Sequence, residues 1–477
     1  MTFDELYALV ISENSPSLCI DSRFVSEGAI FAAIRGTVCD GHDFISEALA
    51  GGAKYIVCEE SASSPDAELI LVEDSSKAAA VLAQAGLGNP ASQLINLAVT
   101  GTNGKTTIAY LVRSILKAAG QKCGLIGTII YDTSQQSFPA TLTTPDCLTI
   151  AQMQEKMVQA GAKYTAIEAS SHALSQNRLS GIDFKAAAFT NLSGDHLDYH
   201  KTEADYLSAK MRLFEGLSID ATAVLNRQSP HAGEIADRTK AKILWYAVDE
   251  PADLTAHIET MDIGLTIFSL EYGGEKQKVT TPLVGRYNVC NCLAATGLCL
   301  AAGFDLATIA NGISALTGVP GRLEKVDNRA GFTVLIDYAH TDDALKNVLS
   351  ALKPLCKGRL IVVFGCGGDR DNSKRPRMAK VAEELADEII VTSDNPRTEQ
   401  PEYIIGEIMT GFENPVAETI AHEINRKKAI ALAINKAQKD DIILIAGKGH
   451  ETYQIIGKEK FDFSDREVAE YFLNELK

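Results

Sequence analysis

The stretch Val-Thr-Gly-Thr-Asn-Gly-Lys-Thr-Thr, residues 99–107, sets a lysine and two hydroxyls directly after a glycine turn. Gly101, Thr102, Asn103, Gly104, Lys105, Thr106 and Thr107 offer backbone N–H groups that wrap a terminal phosphate, and a following helix adds positive potential at its N-terminus. In such a loop the lysine bridges the β- and γ-phosphates of ATP and the Thr106 hydroxyl binds Mg²⁺. The common spacing, G-x-x-x-x-G-K-[ST], calls for glycine at position 99, where this chain has Val99. Gly101 stands only three residues before Gly104, so the loop is a shorter one. An ordinary glycine turn is the competing reading; the apolar run before it, the helical pattern after it and the Gly-Lys-Thr-Thr end favour phosphate.

Four further clusters carry reactive groups. In IEASSHALSQNRL (167–179), Glu168 ends an apolar run where a carboxylate reaches a metal, and Ser170, His172, Gln176 and Arg178 follow; a core histidine in a solvated loop explains them equally well. In TNLSGDHLDYH (190–200), Asp195, His196, Asp198 and His200 form a metal or phosphate candidate whose spacing is not a zinc signature. In EADYLSAKMRLF (203–214), Lys210 shares a helix face with Leu207 and Phe214. A lysine there packs its stem and sends its ammonium to water, or, modified to a carbamate, becomes an anionic oxygen ligand. Toward the end, Arg370 in GCGGDRD and Arg397 in SDNPRTE offer planar forks for a carboxylate, with surface ion pairs as the plainer reading. The loop Gly447, Lys448, His450, Glu451 contains Gly-Lys without the following hydroxyl, which makes it a weak phosphate candidate.

The elements that must position these groups alternate. Leu94 to Val99 reads as a strand, and Ile108, Leu111, Val112, Ile115 and Leu116 repeat at the spacing of an amphipathic helix that Gly120 stops. GLIGTI, YTAIEA, AAAFTNL and ATAVLN read as further buried strands, so the middle of the chain is a mostly parallel, doubly wound sheet. After a linker near 318–326, TVLIDYAH, RLIVVFGCGGDRD, DEIIVTSDNPR and DDIILIAGKGHE each run from an apolar strand into a polar loop. The expected organisation is α/β throughout: a small unit over 1–93, a central domain over 94–322 and a C-terminal domain over 323–477. Ligands of open α/β sheets gather at the carboxyl ends of strands, so the expected site lies in the cleft between the two larger domains.

Composition sets bounds. The 477 residues are 46% hydrophobic and 22% charged, ordinary for a globular protein. A net charge of −17 argues against nucleic acid, though not against small anions held by a local loop. No uncharged apolar stretch reaches 18 residues, no basic segment leads into an apolar run at the start, and the ten cysteines contain no C-x-x-C pair. A cytoplasmic protein with reduced thiols is the expectation.

Taken in order, GTNGKTT, EASSHAL, TNLSGDHLDYH, GRYNVCNCLAA, GRLEKV and DYAHTDDAL resemble the Mur ligase family over nearly the whole chain, and the short G-T-N-G-K-[ST] loop is that family's own form. The early DSR and DGHDF, TTPD at 143–146, and the late DNPR and GKGHE resemble members that add meso-diaminopimelate as the third residue of the peptidoglycan stem peptide. The resemblance implies a three-domain enzyme, and a monomer is the expectation. The first domain holds a uridine nucleotide, the central one ATP and the last the incoming amino acid. The reaction it implies joins meso-diaminopimelate to UDP-MurNAc-L-Ala-D-Glu through an acyl phosphate.

By the same resemblance, Thr106 and Glu168 serve one Mg²⁺, and Glu168, His196 and a carbamylated Lys210 a second. Lys105 binds the phosphates, Asn288 lies by the adenine, and Arg322 and Asp337 approach ATP from the linker side. Ser22, Thr143, Thr144, Ser170, Gln176 and Arg178 contact the UDP-muramyl dipeptide. Arg370, Asp394, Asn395, Pro396, Arg397, Gly447 and Glu451 hold diaminopimelate. The chain departs from the family at Asp342, where proline is usual, which raises the expectation of an altered turn. A folylpolyglutamate synthase would share the ATP machinery but not the DSR and DNPR segments. A GTPase-like switch would need an N-K-x-D guanine motif, which is not present.

Overall fold

A computed structural model describes residues 1–12, 15–37, 39–60, 67–194 and 197–476, with the side chains of Leu197 and Asp198 excepted. Three sheets organise it. The first 71 residues contribute a four-stranded parallel sheet built from Leu18–Cys19, Ile30–Ala32, Tyr55–Cys58 and Glu68–Leu71, in that order. Its companion helix Ser75–Gly86 is alanine-rich, which lets it lie close against the next layer. There the Gln84 amide donates to Gln154 Oε1 (2.8 Å), and the Gln154 amide donates to Asn96 Oδ1 (3.0 Å). Buried amides of this kind are stable only when paired, and this relay fixes the small sheet's helix to the central one.

The central sheet has eleven strands. Its parallel part runs in the order Leu254–Asp262, Lys242–Val248, Thr222–Asn226, Phe184–Phe189, Ile95–Thr100, Tyr164–Glu168, Cys123–Ile126. Antiparallel ribbons extend both edges: Leu265–Tyr272 with Glu275–Thr281 on one side, Ile130–Asp132 with Ser137–Pro139 on the other. Alternation along Ile95–Thr100 sends Leu97 and Val99 to one face and Ala98 to the other, and both faces are covered. Helices Lys105–Ala118, Arg286–Ala301 and Leu306–Ser314 cover the first face; Cys147–Gln159 and Glu203–Glu215 cover the second.

The last sheet has six strands, ordered Glu324–Val326, Thr333–Asp337, Ile442–Ala446, Leu360–Phe364, Glu388–Thr392, Ile420–Glu423. All are parallel except the first. Its centre is pinned by Arg426 and Asp465, both fully buried and paired through Arg426 Nη2 and Nε (each 2.7 Å), with Nη2 also donating to Ala446 O (2.9 Å). Asp342 opens helix Asp342–Leu352 behind the N-cap Thr341, and pairs with Arg377 (3.1 Å). Thr341 has extended backbone angles, and proline and aspartate both suit the first helical position. Asp342 thus opens a regular capped helix at a position that takes either residue.

Candidate active site

The strand reading of residues 94–99 shifts by one, to Ile95–Thr100, and delivers the glycine loop straight into helix Lys105–Ala118. Gly101 and Gly104 both have positive φ, 147° and 93°. A Cβ at Gly101 would overlap the Thr190 hydroxyl, and one at Gly104 would overlap the Asn291 carboxamide, so shape as well as backbone angle demands glycine at both. The Asn103 N–H donates to Asn191 Oδ1 (2.9 Å) and Thr190 Oγ1 donates to Asn103 O (2.7 Å), which holds the loop open around its N–H groups. Lys105 Nζ turns back onto Gly101 O and Thr102 O, both at 2.8 Å.

Behind the loop, Glu168 ends its strand fully buried. Oε1 accepts the Thr128 N–H (2.9 Å), and Oε2 accepts the hydroxyls of Thr106 (3.0 Å) and Thr128 (2.9 Å). Arg322 reaches across from the linker, donating from Nη2 to Thr106 Oγ1 (3.1 Å) while its guanidinium lies 4.6 Å from the centre of the Tyr338 ring. Thr106 and Glu168 thus present buried oxygen donors side by side, the donor class that Mg²⁺ prefers. His196, the third expected ligand, lies outside the described residues, as does Asp195.

Lys210 is 1% exposed and does not reach water. Its Nζ donates to Gly101 O (2.9 Å) and sits 4.1 Å from the Tyr206 ring centre. The reading in which it snorkels is corrected: the helix face is closed by Tyr206, Leu207 and Phe214, all buried. Lys105 and Lys210 consequently donate to the same carbonyl, that of Gly101.

A cavity of about 440 Å³ opens on this arrangement. The glycine loop, Thr128, Thr143, Asn288 and Asn291 line its central-domain wall, and Arg322, Asp337, Tyr338, His340 and Asp343 line the opposite one. Asn288 is held by Val284 O (2.7 Å) and by the Asn291 amide (3.0 Å). Asp337 accepts the N–H groups of Leu323 (2.7 Å) and Ala339 (2.8 Å), and burial pushes its carboxyl up against the pull of Arg322. Asn103 Nδ2 donates to Asp343 Oδ2 (2.9 Å), a direct contact between the glycine loop and the last domain.

A second, wider cavity of about 860 Å³ lies between the small sheet and the central one. Ser22, Gln176 and Arg178 line it. Gln176 Oε1 accepts from Arg178 Nε (3.0 Å) and Nη2 (2.6 Å), Arg178 Nη1 donates to Thr144 O (2.7 Å), and burial lowers the guanidinium's pKa. Thr144 Oγ1 donates to Glu168 O (2.6 Å) and accepts the Ser170 N–H (3.0 Å). Thr143 Oγ lies 3.1 Å from Thr128 Oγ. One run of residues therefore connects the wide cavity to the glycine-loop cavity.

The remaining expected residues gather at the strand ends of the last sheet. Asn395 donates to Glu451 Oε2 (2.9 Å), and Lys448, fully buried, bridges Asn395 Oδ1 (3.1 Å) and Glu451 Oε2 (2.8 Å). Asp394 is buried, its Oδ2 without a hydrogen-bond partner among the described residues, and a Cβ at Gly447 would fall 2.6 Å from that atom. Arg397 follows Pro396 with φ 51° and donates from Nη1 to Gly368 O (2.6 Å). Arg370, exposed, extends from the neighbouring loop. A Cβ at Gly367 would lie 2.9 Å from Arg397 Nη1 and 4.0 Å from Arg370 Cγ, so both arginines flank one bare stretch of backbone.

Thr128, Asn291 and Asp343 were not anticipated. Thr128 carried a usable signal, a Gly-Thr pair directly after a buried strand; Asn291 and Asp343 act across elements far apart in sequence.

Comparison with known proteins agrees in extent. Residues 17–86, 99–299 and 321–449 match family models described as the Mur ligase family catalytic domain, the Mur ligase middle domain and the Mur ligase glutamate ligase domain. The UDP-N-acetylmuramoyl-L-alanyl-D-glutamate–2,6-diaminopimelate ligase of Bacillus licheniformis is 44% identical over 97% of this chain and 95% of its own. The ligase of the same name from Bacillus cereus is 45% identical over 96% and 95%. A solved structure of a ligase of that name superposes with TM-score 0.68 at 34% identity, covering 96% of this chain and 95% of its own.

Proposed function

The chain belongs to the Mur ligase family, and from that premise we propose that it uses ATP to join meso-diaminopimelate to the D-Glu γ-carboxylate of UDP-MurNAc-L-Ala-D-Glu, a cytoplasmic step of peptidoglycan precursor synthesis. The observation that carries the reading is the glycine-loop cavity, walled by two domains and connected through Thr143, Thr144 and Ser170 to the wide cavity. That layout lets a nucleotide-linked carboxylate and a triphosphate meet from opposite sides.

The chemical difficulty is that both reactants are anions. The loop N–H groups and the dipole of helix Lys105–Ala118 favour the triphosphate, and Lys105 leaves the Gly101 and Thr102 carbonyls to bridge its β- and γ-phosphates. Thr106 and Glu168 would hold Mg²⁺, with His196 and a carbamylated Lys210 completing a second site; the metal supplies positive charge where the two anions approach. Arg322, already against Thr106, adds charge from the linker side. Asn288 borders the adenine, and Asp337 fixes the linker turn that aims Arg322.

A γ-carboxylate oxygen of D-Glu attacks Pγ, the bond from Pγ to the β–γ bridging oxygen breaks, and ADP departs with that electron pair. The amine of diaminopimelate then attacks the acyl carbon, and the tetrahedral adduct collapses with cleavage of the C–O bond to phosphate. The amine's proton is lost to solvent or buffer. Ser22, Gln176 and Arg178 orient the nucleotide-linked dipeptide. Asp394 and Glu451 suit the ammonium of the acceptor, and Arg370 and Arg397 its far carboxylate, with Asn395, Pro396 and Gly447 shaping the floor.

The test is isotopic. With ¹⁸O in the γ-carboxylate, one labelled oxygen must appear in released phosphate. Unlabelled phosphate accompanying amide product would overturn the acyl phosphate route.

A further inference from the structure

Arg375 is one of the largest fully buried side chains in the protein, at 1% exposure, and none of the roles above uses it. From helix Lys374–Leu385 it reaches up to the two loops that carry Arg370 and Arg397. Nη1 donates to Glu399 Oε2 (2.9 Å) and Glu407 Oε2 (2.6 Å); Nη2 donates to Glu399 Oε1 (2.9 Å) and Gly367 O (3.1 Å). Glu399 Oε1 in turn accepts the Asp369 N–H (2.6 Å). Further bonds join the loops: Thr398 Oγ1 to Asp369 Oδ1 (2.8 Å), Gly368 N–H to Asn395 O (2.9 Å) and Arg397 Nη1 to Gly368 O (2.6 Å).

We infer that the Arg375–Glu399 pair is a positioning device for acceptor selection: it locks the 367–370 loop to the 395–399 loop and so sets the spacing of the Arg370 and Arg397 guanidinium groups. Three features support this. The pair is bidentate, which fixes orientation as well as distance. The backbone it braces is glycine-rich and would otherwise be loose. Arg397 is held in a left-handed conformation uncommon for a non-glycine residue, which surrounding bonds must enforce. Two arginines at fixed spacing favour a rigid planar carboxylate over a single flexible ammonium, so bracing matters for discrimination more than for binding in general.

The inference rests on the proposed amino-acid ligase reading, and the experiment separates the two. An acceptor screen on the unmutated chain first identifies the preferred acceptor. Glu399→Gln and Arg375→Lys are then assayed with ATP, UDP-MurNAc-L-Ala-D-Glu and the acceptor each varied in turn. Glu399 is partly exposed, and in its absence Arg375 keeps Glu407 and Gly367 O as partners; a thermal melt of each variant checks that it folds before KM is read. The expected result is a rise of roughly tenfold or more in the acceptor KM, in line with the cost of displacing a positioned group. The KM values for ATP and the nucleotide dipeptide should stay within about twofold, and preference over L-lysine should narrow. Glu399→Asp, which keeps the charge, should recover part of the preference. If the preferred acceptor is not diaminopimelate, the functional reading falls while the KM pattern still judges the brace. An unchanged acceptor KM and preference in Glu399→Gln, or an equal rise in all three KM values, overturns the inference.

Discussion

Replacing Glu168 by glutamine separates folding from chemistry. The carboxylate is fully buried and accepts three hydrogen bonds, one from the Thr128 backbone at Oε1 and two from hydroxyls at Oε2. A glutamine with its carbonyl at the Oε1 position keeps the backbone bond. Its amide then faces the Thr106 and Thr128 hydroxyls, which can rotate to accept, and Thr128 can redirect its proton toward Thr143, 3.1 Å away. The net loss is the strength of charge-assisted over neutral bonds, about 1 kcal/mol. For a domain of this size that lowers Tm by about 2–4 °C. Catalysis loses more, because the anionic oxygen beside Thr106 is gone. Removing one preorganised electrostatic group of this kind costs on the order of 3–4 kcal/mol, or about 10²–10³-fold in kcat. ADP release at saturating substrates across a Mg²⁺ series, beside a thermal melt, reads both quantities. A near-normal rate at every Mg²⁺ concentration would refute the metal-ligand role, and a Tm fall beyond about 10 °C would refute the hydroxyl-rotor argument.

Lys210→Ala should lose most activity, with partial rescue by a short carboxylic acid in solution; an unmodified amine in active, ATP-bound enzyme would contradict the carbamate. Gly101→Ala should abolish ATP binding, because its Cβ collides with Thr190, yet leave UDP-dipeptide binding intact by calorimetry. Arg397→Ala should raise the diaminopimelate KM and shrink the preference over L-lysine, since losing a charge-assisted hydrogen bond costs about 1.5–3 kcal/mol; an unchanged preference argues against its role as carboxylate clamp. His450 should make the last domain acid-sensitive. Burial beside Arg322 and Lys448 lowers its pKa from 6.5 to about 4, so between those values the unfolded chain binds more protons and stability falls as pH falls. Urea melts from pH 7 to 4 should show that loss, flattened in His450→Gln.

Much of this was legible because the chemistry sits where strands end. The glycine loop, Glu168, Asp337, Asp394 and Gly447 each follow a continuous apolar run, and a buried parallel strand must release its chain into a polar loop. Lys210 was legible as an anomaly on an apolar face, although helical spacing alone did not say that Tyr206 would cover it. The antiparallel ribbons Leu265–Tyr272 with Glu275–Thr281 were not legible, since half-exposed edge strands lack a continuous apolar signal. Arg375 in KRPRM reads as a surface charge, and only the approach of two loops from different strands shows it to be buried. Contacts such as Asn103 to Asp343 and Arg322 to Thr106 join residues more than 200 positions apart, which local pattern does not encode.

One assay addresses acceptor and reaction together. The chain is incubated with UDP-MurNAc-L-Ala-D-Glu, ATP and Mg²⁺, and given meso-diaminopimelate, L-lysine or L-ornithine separately, with product mass and ADP followed in parallel. The expected result is a product heavier by one diaminopimelate less one water, one ADP per product, and at least about a hundredfold preference over L-lysine, the equivalent of about 2.7 kcal/mol. ADP and amide product formed with L-lysine as efficiently as with diaminopimelate, or no amide product with diaminopimelate at all, would contradict it.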